Sequence, residues 1–93
     1  MITVHAEFHS HFKELAATPR ESFQLDRPLV AELAERISSK YGEKMRAMLI
    51  DPETQDLSER GTMFVNTKGR RISIEDTLED GETISFLVGI AGG

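Results

Sequence analysis

No cysteine occurs among the 93 residues. A disulfide framework, a thiolate metal site and a cysteine nucleophile are therefore excluded, and the absence is compatible with a cytoplasmic protein. No apolar run approaches the roughly 20 residues that a membrane-spanning helix needs, so no membrane partner is expected. The opening Met1-Ile2-Thr3-Val4-His5 lacks a charged segment followed by an apolar stretch, so no signal peptide is expected either. Basic residues are in deficit: 11 Lys and Arg stand against 16 Asp and Glu, a net charge of −5. That balance argues against a basic surface for nucleic acid. It suits solubility and a basic protein partner. Internal repeats, low-complexity tracts, a Gly-rich phosphate loop and a Ser/His/Asp set are all missing. Residues 1–93 read as a single domain, long enough to bury about 60–65% of its surface without disulfides or metal.

Ile2, Val4, Ala6 and Phe8 alternate with Thr3, His5 and Glu7, which predicts a strand with one buried face. The stretch His9 to Ala16 is ambiguous, with Phe12 and Leu15 at helical spacing before Thr18-Pro19. A short strand is expected from Glu21 to Leu25, hairpinned back on the first. Asp26-Arg27-Pro28 reads as a helix start, with Asp26 as cap. Leu29, Val30, Leu33, Ala34, Ile37 and Tyr41 form the apolar stripe of that helix, which Gly42 stops. Met45, Met48 and Leu49 predict a second helical turn, ended by Asp51-Pro52. A polar loop follows from Glu53 to Gly61. Strands are expected at 62–66 and 71–74, around a turn at Lys68-Gly69. Asp76-Thr77-Leu78 reads as a small turn pinned by Leu78. Asp80-Gly81 turns into a last strand, Glu82 to Val88. This order predicts an α+β fold: a mixed sheet packed on one main helix, a roll of the β-grasp kind.

The sequence ends Gly92-Gly93, directly after that last strand and the link Gly89-Ile90-Ala91. At average glycine usage such a pair arises by chance about 0.5% of the time. A tail over 89–93 without bulky side chains can lie extended in a narrow tunnel, with a reach of roughly 17 Å. Its α-carboxyl, with an ordinary pKa of about 3.3–3.7, is ionised at neutral pH. A frayed terminus without function is the plainer alternative.

Asp80-Gly81-Glu82-Thr83-Ile84-Ser85-Phe86-Leu87-Val88-Gly89-Ile90-Ala91-Gly92-Gly93 resembles the ending of the MoaD/ThiS family of ubiquitin-like sulfur carriers. Val65-Asn66 resembles the family's V-N-G strand and turn. Phe12-Lys13-Glu14-Leu15 is similar to its segment after the first strand. The element order agrees along the whole chain, although only the last fourteen residues are specific. Two features depart from the pattern. Val88-Gly89 stands where molybdopterin-synthase small subunits carry Pro-Pro, and Met45 to Gly61 is longer than in the shortest thiamine-pathway carriers. The longer middle resembles cysteine-pathway carriers and archaeal MoaD proteins.

The resemblance implies a protein cosubstrate with no catalytic site of its own. An adenylating enzyme of the MoeB/ThiF type would use ATP to convert the Gly93 carboxylate to an acyl-adenylate. A sulfur donor would displace AMP to leave a thiocarboxylate. A downstream synthase subunit would then take the sulfur, with the molybdopterin pathway first and thiamine or cysteine as alternatives. ATP would be used by the partner, and no cofactor would be held stably by this chain. Ile90, Ala91 and Gly92 would thread the partner's site. Leu87, six places before the terminal glycine where the family carries an apolar residue, is a candidate docking anchor. Phe64 is a second candidate, on a strand whose buried face the sequence leaves open. Two alternatives share the same tail chemistry or none of it: a modifier joined through Gly93 to lysines, or a non-covalent interaction module. His5, His9 and His11 lack a companion ligand at a recognised spacing, so no metal site is expected. Glu75, Asp76, Glu79, Asp80 and Glu82 form an acidic cluster, read as a solvated loop or as a patch steering a basic partner.

Overall fold

A computed structural model describes residues 1–58 and 61–88 of the chain. Strand β1 (Ile2–Phe8) follows the alternation of its sequence: Val4, Ala6 and Phe8 are buried, and the residues between them are partly exposed. Helix α1 (His11–Ala16) resolves the ambiguous stretch and buries Phe12 and Ala16. It stops at Ala17, which takes a left-handed conformation and donates its N–H to Lys13 O at 2.9 Å. Strand β2 (Arg20–Leu25) then returns antiparallel to β1, in a register that sets Val4 opposite Phe23 and Ile2 opposite Leu25.

Helix α2 (Val30–Tyr41) begins later than the sequence implies. Asp26 does not cap it. Leu29 is held extended by a bridge to Thr77, and Val30 N donates to Asp76 O at 3.0 Å. The helix start is thus fixed by a distant turn. The side chain that braces this corner is Glu32, which reaches back to accept the N–H groups of Asp26 and Arg27. Burial raises the Glu32 pKa, but those two backbone donors, the Arg27 side chain and nearby Arg36 outweigh it and hold the carboxyl below its ordinary value.

Gly42, at φ 95°, breaks α2 and starts helix α3 (Glu43–Leu49), a conformation that glycine adopts without a Cβ penalty. Arg46 on α3 pairs with Glu35 on α2 at 3.0 Å. Strand β3 (Thr62–Val65) and strand β4 (Thr83–Val88) complete the sheet. The stretch 71–74 forms no strand. Arg71 makes a single bridge to Val65, and Ile72 N donates to Phe64 O at 3.0 Å. These contacts line the outer edge of β3 without extending the sheet.

The strand order is β2-β1-β4-β3, with β1 and β4 parallel at the centre and both flanking pairs antiparallel. A parallel central pair needs a long crossover, and the chain from β2 through α2 and α3 to β3 supplies it. Side chains of all three helices join the inward strand residues in one core. Its aromatic centre is Phe86, whose ring lies 5.2 Å from Phe8, 5.4 Å from Phe64 and 5.8 Å from Phe12.

Two outcomes follow from this packing. Phe64→Ala should cost about 3–5 kcal/mol, whereas Met63→Ala, one residue earlier and facing away, should cost about 1 kcal/mol or less. Urea denaturation midpoints at unchanged m-value measure both. The second concerns Glu32. Its folded pKa lies below its ordinary 4.5, so its contribution is complete above pH 4.5 and is lost as pH falls through the folded value. The melting-temperature difference between the parent and Glu32→Gln should therefore shrink on acidification from pH 5 to pH 3. A difference constant across that range would contradict the assignment.

Candidate functional site

The site under test is the far end of β4 and the sheet face beside it. β4 is an inner strand that runs alongside β1, with Phe8 opposite Phe86. After Phe8 the backbone turns, and His9 N donates to Phe86 O at 3.1 Å. On the other side Thr62 lies opposite Val88. The last described turn of β4 is therefore clamped between two neighbours, and whatever follows Val88 departs from a fixed base. Ile90, Ala91, Gly92 and Gly93 lie outside the described residues, as does the whole of 89–93.

Within β4, Ile84 and Phe86 are buried and Val88 packs against the same core. Leu87 has the opposite phase, as expected, and is partly exposed on the outer face. Phe64 is not a surface residue. It is 4% exposed and packs on Phe12 and Phe86. The cause is register: Phe64 lies directly opposite Phe86, and residues opposite one another in a sheet share a face. The outward members of β3 are Met63 and Val65, set opposite Leu87 and Ser85. Sequence reasoning did not select these two as docking residues. Four residues are too few to show which phase is buried, and only pairing with β4 decides it.

The outer face is divided. Met63, Val65 and Leu87 form an apolar corner on β3 and β4. On β1 and β2 the same face is polar: Arg20 pairs with Glu7 at 2.9 Å, and His5 Nδ1 lies 2.8 Å from Ser22 Oγ. His11 faces Glu14 at 3.6 Å. Among the described residues no three His, Asp or Glu side chains gather as a metal-ligand set. No helix there is long and apolar enough to cross a membrane.

The acidic cluster lies at the opposite end of β4 from Val88, about 20 Å away along a six-residue strand. Several of its members build turns. Asp80 Oδ1 accepts Thr3 N at 2.8 Å, Asp76 Oδ2 accepts Ser73 N at 2.8 Å, and Glu82 Oε1 accepts Glu79 N at 2.9 Å. Gly81, at φ 83°, donates to Thr3 O at 2.7 Å and sets β4 into register.

No protein-family model and no curated protein matches this sequence. Solved structures do match. The HVO 2177 protein of Haloferax volcanii superposes with a TM-score of 0.81 at 18% identity, covering 99% of this chain and 87% of its own. Small archaeal modifier protein 1 of the same organism gives 0.80 at 8% identity, over 97% and 100%. A candidate molybdopterin converting factor subunit 1 of Pyrococcus furiosus gives 0.76 at 20% identity, over 97% and 100%. The chain has the ubiquitin-like β-grasp fold. The similarity spans between 87% and 100% of the length of these neighbours.

The assignment of faces is open to direct test. Leu87→Glu should stay folded and melt within about 4–8 °C of the parent, the shift that 1 kcal/mol produces in a domain of this size. Phe86→Glu should abolish the cooperative transition, because an unpaired carboxylate would enter the aromatic core. Thermal melts by circular dichroism distinguish the two, and the reverse outcome would mean that the phase of β4 is inverted.

Proposed function

We propose that this chain is a ubiquitin-like sulfur carrier of the MoaD/ThiS kind, acting as a protein cosubstrate through the carboxylate of Gly93. The observation that carries the reading is the join between scaffold and tail. An inner strand, pinned on both sides and packed into the core, leads directly into Gly89-Ile90-Ala91-Gly92-Gly93. Such a base lets a partner bind the rigid domain and receive the slim segment in a fixed direction.

A free carboxylate is a poor acyl donor. In the proposed cycle a MoeB/ThiF-like partner binds ATP, the Gly93 carboxylate oxygen attacks the α-phosphorus, and pyrophosphate leaves. A persulfide then attacks the acyl-adenylate carbonyl and AMP leaves. The product is an acyl disulfide; a second thiol of the donor attacks its outer sulfur, forming a disulfide on the donor as the S–S bond breaks and the thiocarboxylate leaves. A downstream synthase subunit accepts the sulfur. The partners supply the ATP site and the acid–base groups; this chain supplies the reacting end and a docking face. The apolar corner of Leu87, Met63 and Val65, on the sheet face away from the helices, is the proposed contact. Dependence on ATP fits a cytoplasmic setting. The molybdopterin pathway is the first candidate acceptor route, supported by the likeness to the Pyrococcus protein, with thiamine and cysteine routes as alternatives.

A second reading is favoured by the likeness to small archaeal modifier protein 1. There the adenylated Gly93 would pass to lysine amines of other proteins. Both readings begin with the same activation and diverge at the nucleophile.

Intact mass of untagged protein from its own cell tests the reading. The expected product is a chain ending at Gly93 in which one oxygen is exchanged for one sulfur. A Gly-Gly remnant on lysines of other proteins, without the sulfur exchange, would replace the carrier reading by the modifier. A chain that continues past Gly93 without processing would overturn both. Gly92→Val should reduce pyrophosphate release by about 10²-fold, the scale set by a small misplacement of reacting groups, while leaving the melting temperature unchanged. A normal rate would refute the narrow passage.

A further inference from the structure

The sheet has two edges. Along β3 the outer side is already lined, with Ile72 N donating to Phe64 O. Along β2, among the described residues, no strand pairs on the outer side. The register against β1 fixes which groups point outward there. Phe8 N donates to Pro19 O at 2.9 Å, so these two form a hydrogen-bonded pair. Such pairs alternate with pairs whose N–H and C=O groups face away from the neighbour. Arg20, Ser22 and Gln24 therefore turn their backbone groups to the open edge, and Asp26 continues that phase just past the strand.

A row of unmet backbone groups is a template for another strand. Here most of the donors are taken by the chain's own side chains. Thr18 Oγ1 donates to Arg20 O at 3.0 Å and accepts Arg20 N at 3.5 Å. Glu21 Oε1 accepts Ser22 N at 3.1 Å. Glu32 accepts Asp26 N. Gln24 N is the one donor of the row without a side-chain acceptor among the described residues. Glu21 is itself held from α2: its other oxygen accepts Lys40 Nζ at 2.8 Å. Lys40 first, and then the Ser22 N–H, hold the Glu21 carboxyl below its ordinary pKa. The Lys40 ammonium also stands 5.8 Å over the Phe23 ring. Glu21 shares the inner phase of β2 with Phe23 and Leu25, and an inward-pointing charge is one of the devices that keep an edge strand from pairing.

We propose that the outer edge of β2 is a strand-pairing surface for a second copy of this chain, latched shut by Glu21 and Lys40. The edge is self-complementary. Two β2 strands paired antiparallel about Ser22 set Ser22 opposite Ser22, Arg20 opposite Gln24 and Glu21 opposite Phe23, so no two like charges meet. While the latch is closed, two features stand against that pairing. The Ser22 N–H is occupied, and the Glu21 carboxylate would be set against the second copy's Phe23. Removing the carboxylate frees the Ser22 donor; removing the ammonium untethers the carboxylate. None of this depends on what Gly93 carries.

Sedimentation velocity and amide hydrogen exchange on the full chain test the latch. The parent should be a monomer over a dilution series, with its Ser22 amide exchanging more slowly than its Gln24 amide. Glu21→Val and Lys40→Met should each form a dimer that dissociates on dilution. Its dissociation constant should lie below the parent's by about tenfold or more, the change that about 1.4 kcal/mol produces. In that dimer the Ser22 and Gln24 amides should both be protected. Lys44→Met, which removes the same charge from an exposed position on α3, should behave as the parent. Lys40→Met leaves β2 itself unchanged and carries the test should Glu21→Val fail to fold. Folded variants that stay monomeric at every concentration would overturn the proposal. So would a dimer that leaves both amides unprotected, or a Lys44→Met variant that dimerises equally, which would assign the effect to net charge. A parent already paired through β2 would show that Glu21 and Lys40 do not hold the edge shut.

Discussion

The packing of Phe86 is the contact on which the rest of the structure depends. It occupies an inner strand, with Phe8 beside it on one neighbour and Phe64 on the other, and Phe12 from α1 closes over them. Four rings meeting edge-on or tilted, 5.2 to 5.8 Å apart, bury large area in a geometry that aromatic quadrupoles favour. Its carbonyl also receives the N–H of His9, where the chain leaves β1. One residue thereby couples three strands, the first helix and the exit of β4. Its alternate neighbours inherit their faces from it. Leu87 must face out because Phe86 faces in.

That coupling gives the two ends of β4 different characters. At the start, acidic side chains and glycine make tight hydrogen-bonded turns, tying Asp80-Gly81 to Thr3. Charge there serves backbone satisfaction, because donors at a turn need acceptors that strand pairing does not provide. At the finish, apolar side chains lie on both faces: Leu87 with Met63 outside, Val88 at the rim of a groove inside.

Much of the fold was legible because its patterns are long. Seven residues of β1 show an unbroken alternation, and the α2 stripe repeats over three turns before Gly42. The α2 start was misread because Asp26 looks like a cap, while the backbone obeys the bridge between Leu29 and Thr77, residues 48 apart in sequence. The segment 71–74 carries strand-like residues but pairs only at one bridge, since sheet hydrogen bonds depend on a partner's register and not on propensity. At the candidate site, the outward phase of Leu87 is legible from the alternation of a six-residue strand. Phe64 was misplaced because β3 is too short to reveal its own phase.

The sequence by itself determined the elements that depend on local periodicity and the β-grasp order of those elements. Each of these is a property of neighbours along the chain. The tertiary structure alone decided which face of β3 is buried, where α2 begins, that the acidic cluster lies a strand's length from Val88, and that a groove borders Val88. These rest on contacts between residues far apart in sequence, whose distances no local pattern encodes. Register is the clearest case: shifting β3 by one residue against β4 would exchange Phe64 with Met63 or Val65, and only burial of the phenylalanine against Phe12 and Phe86 selects between them.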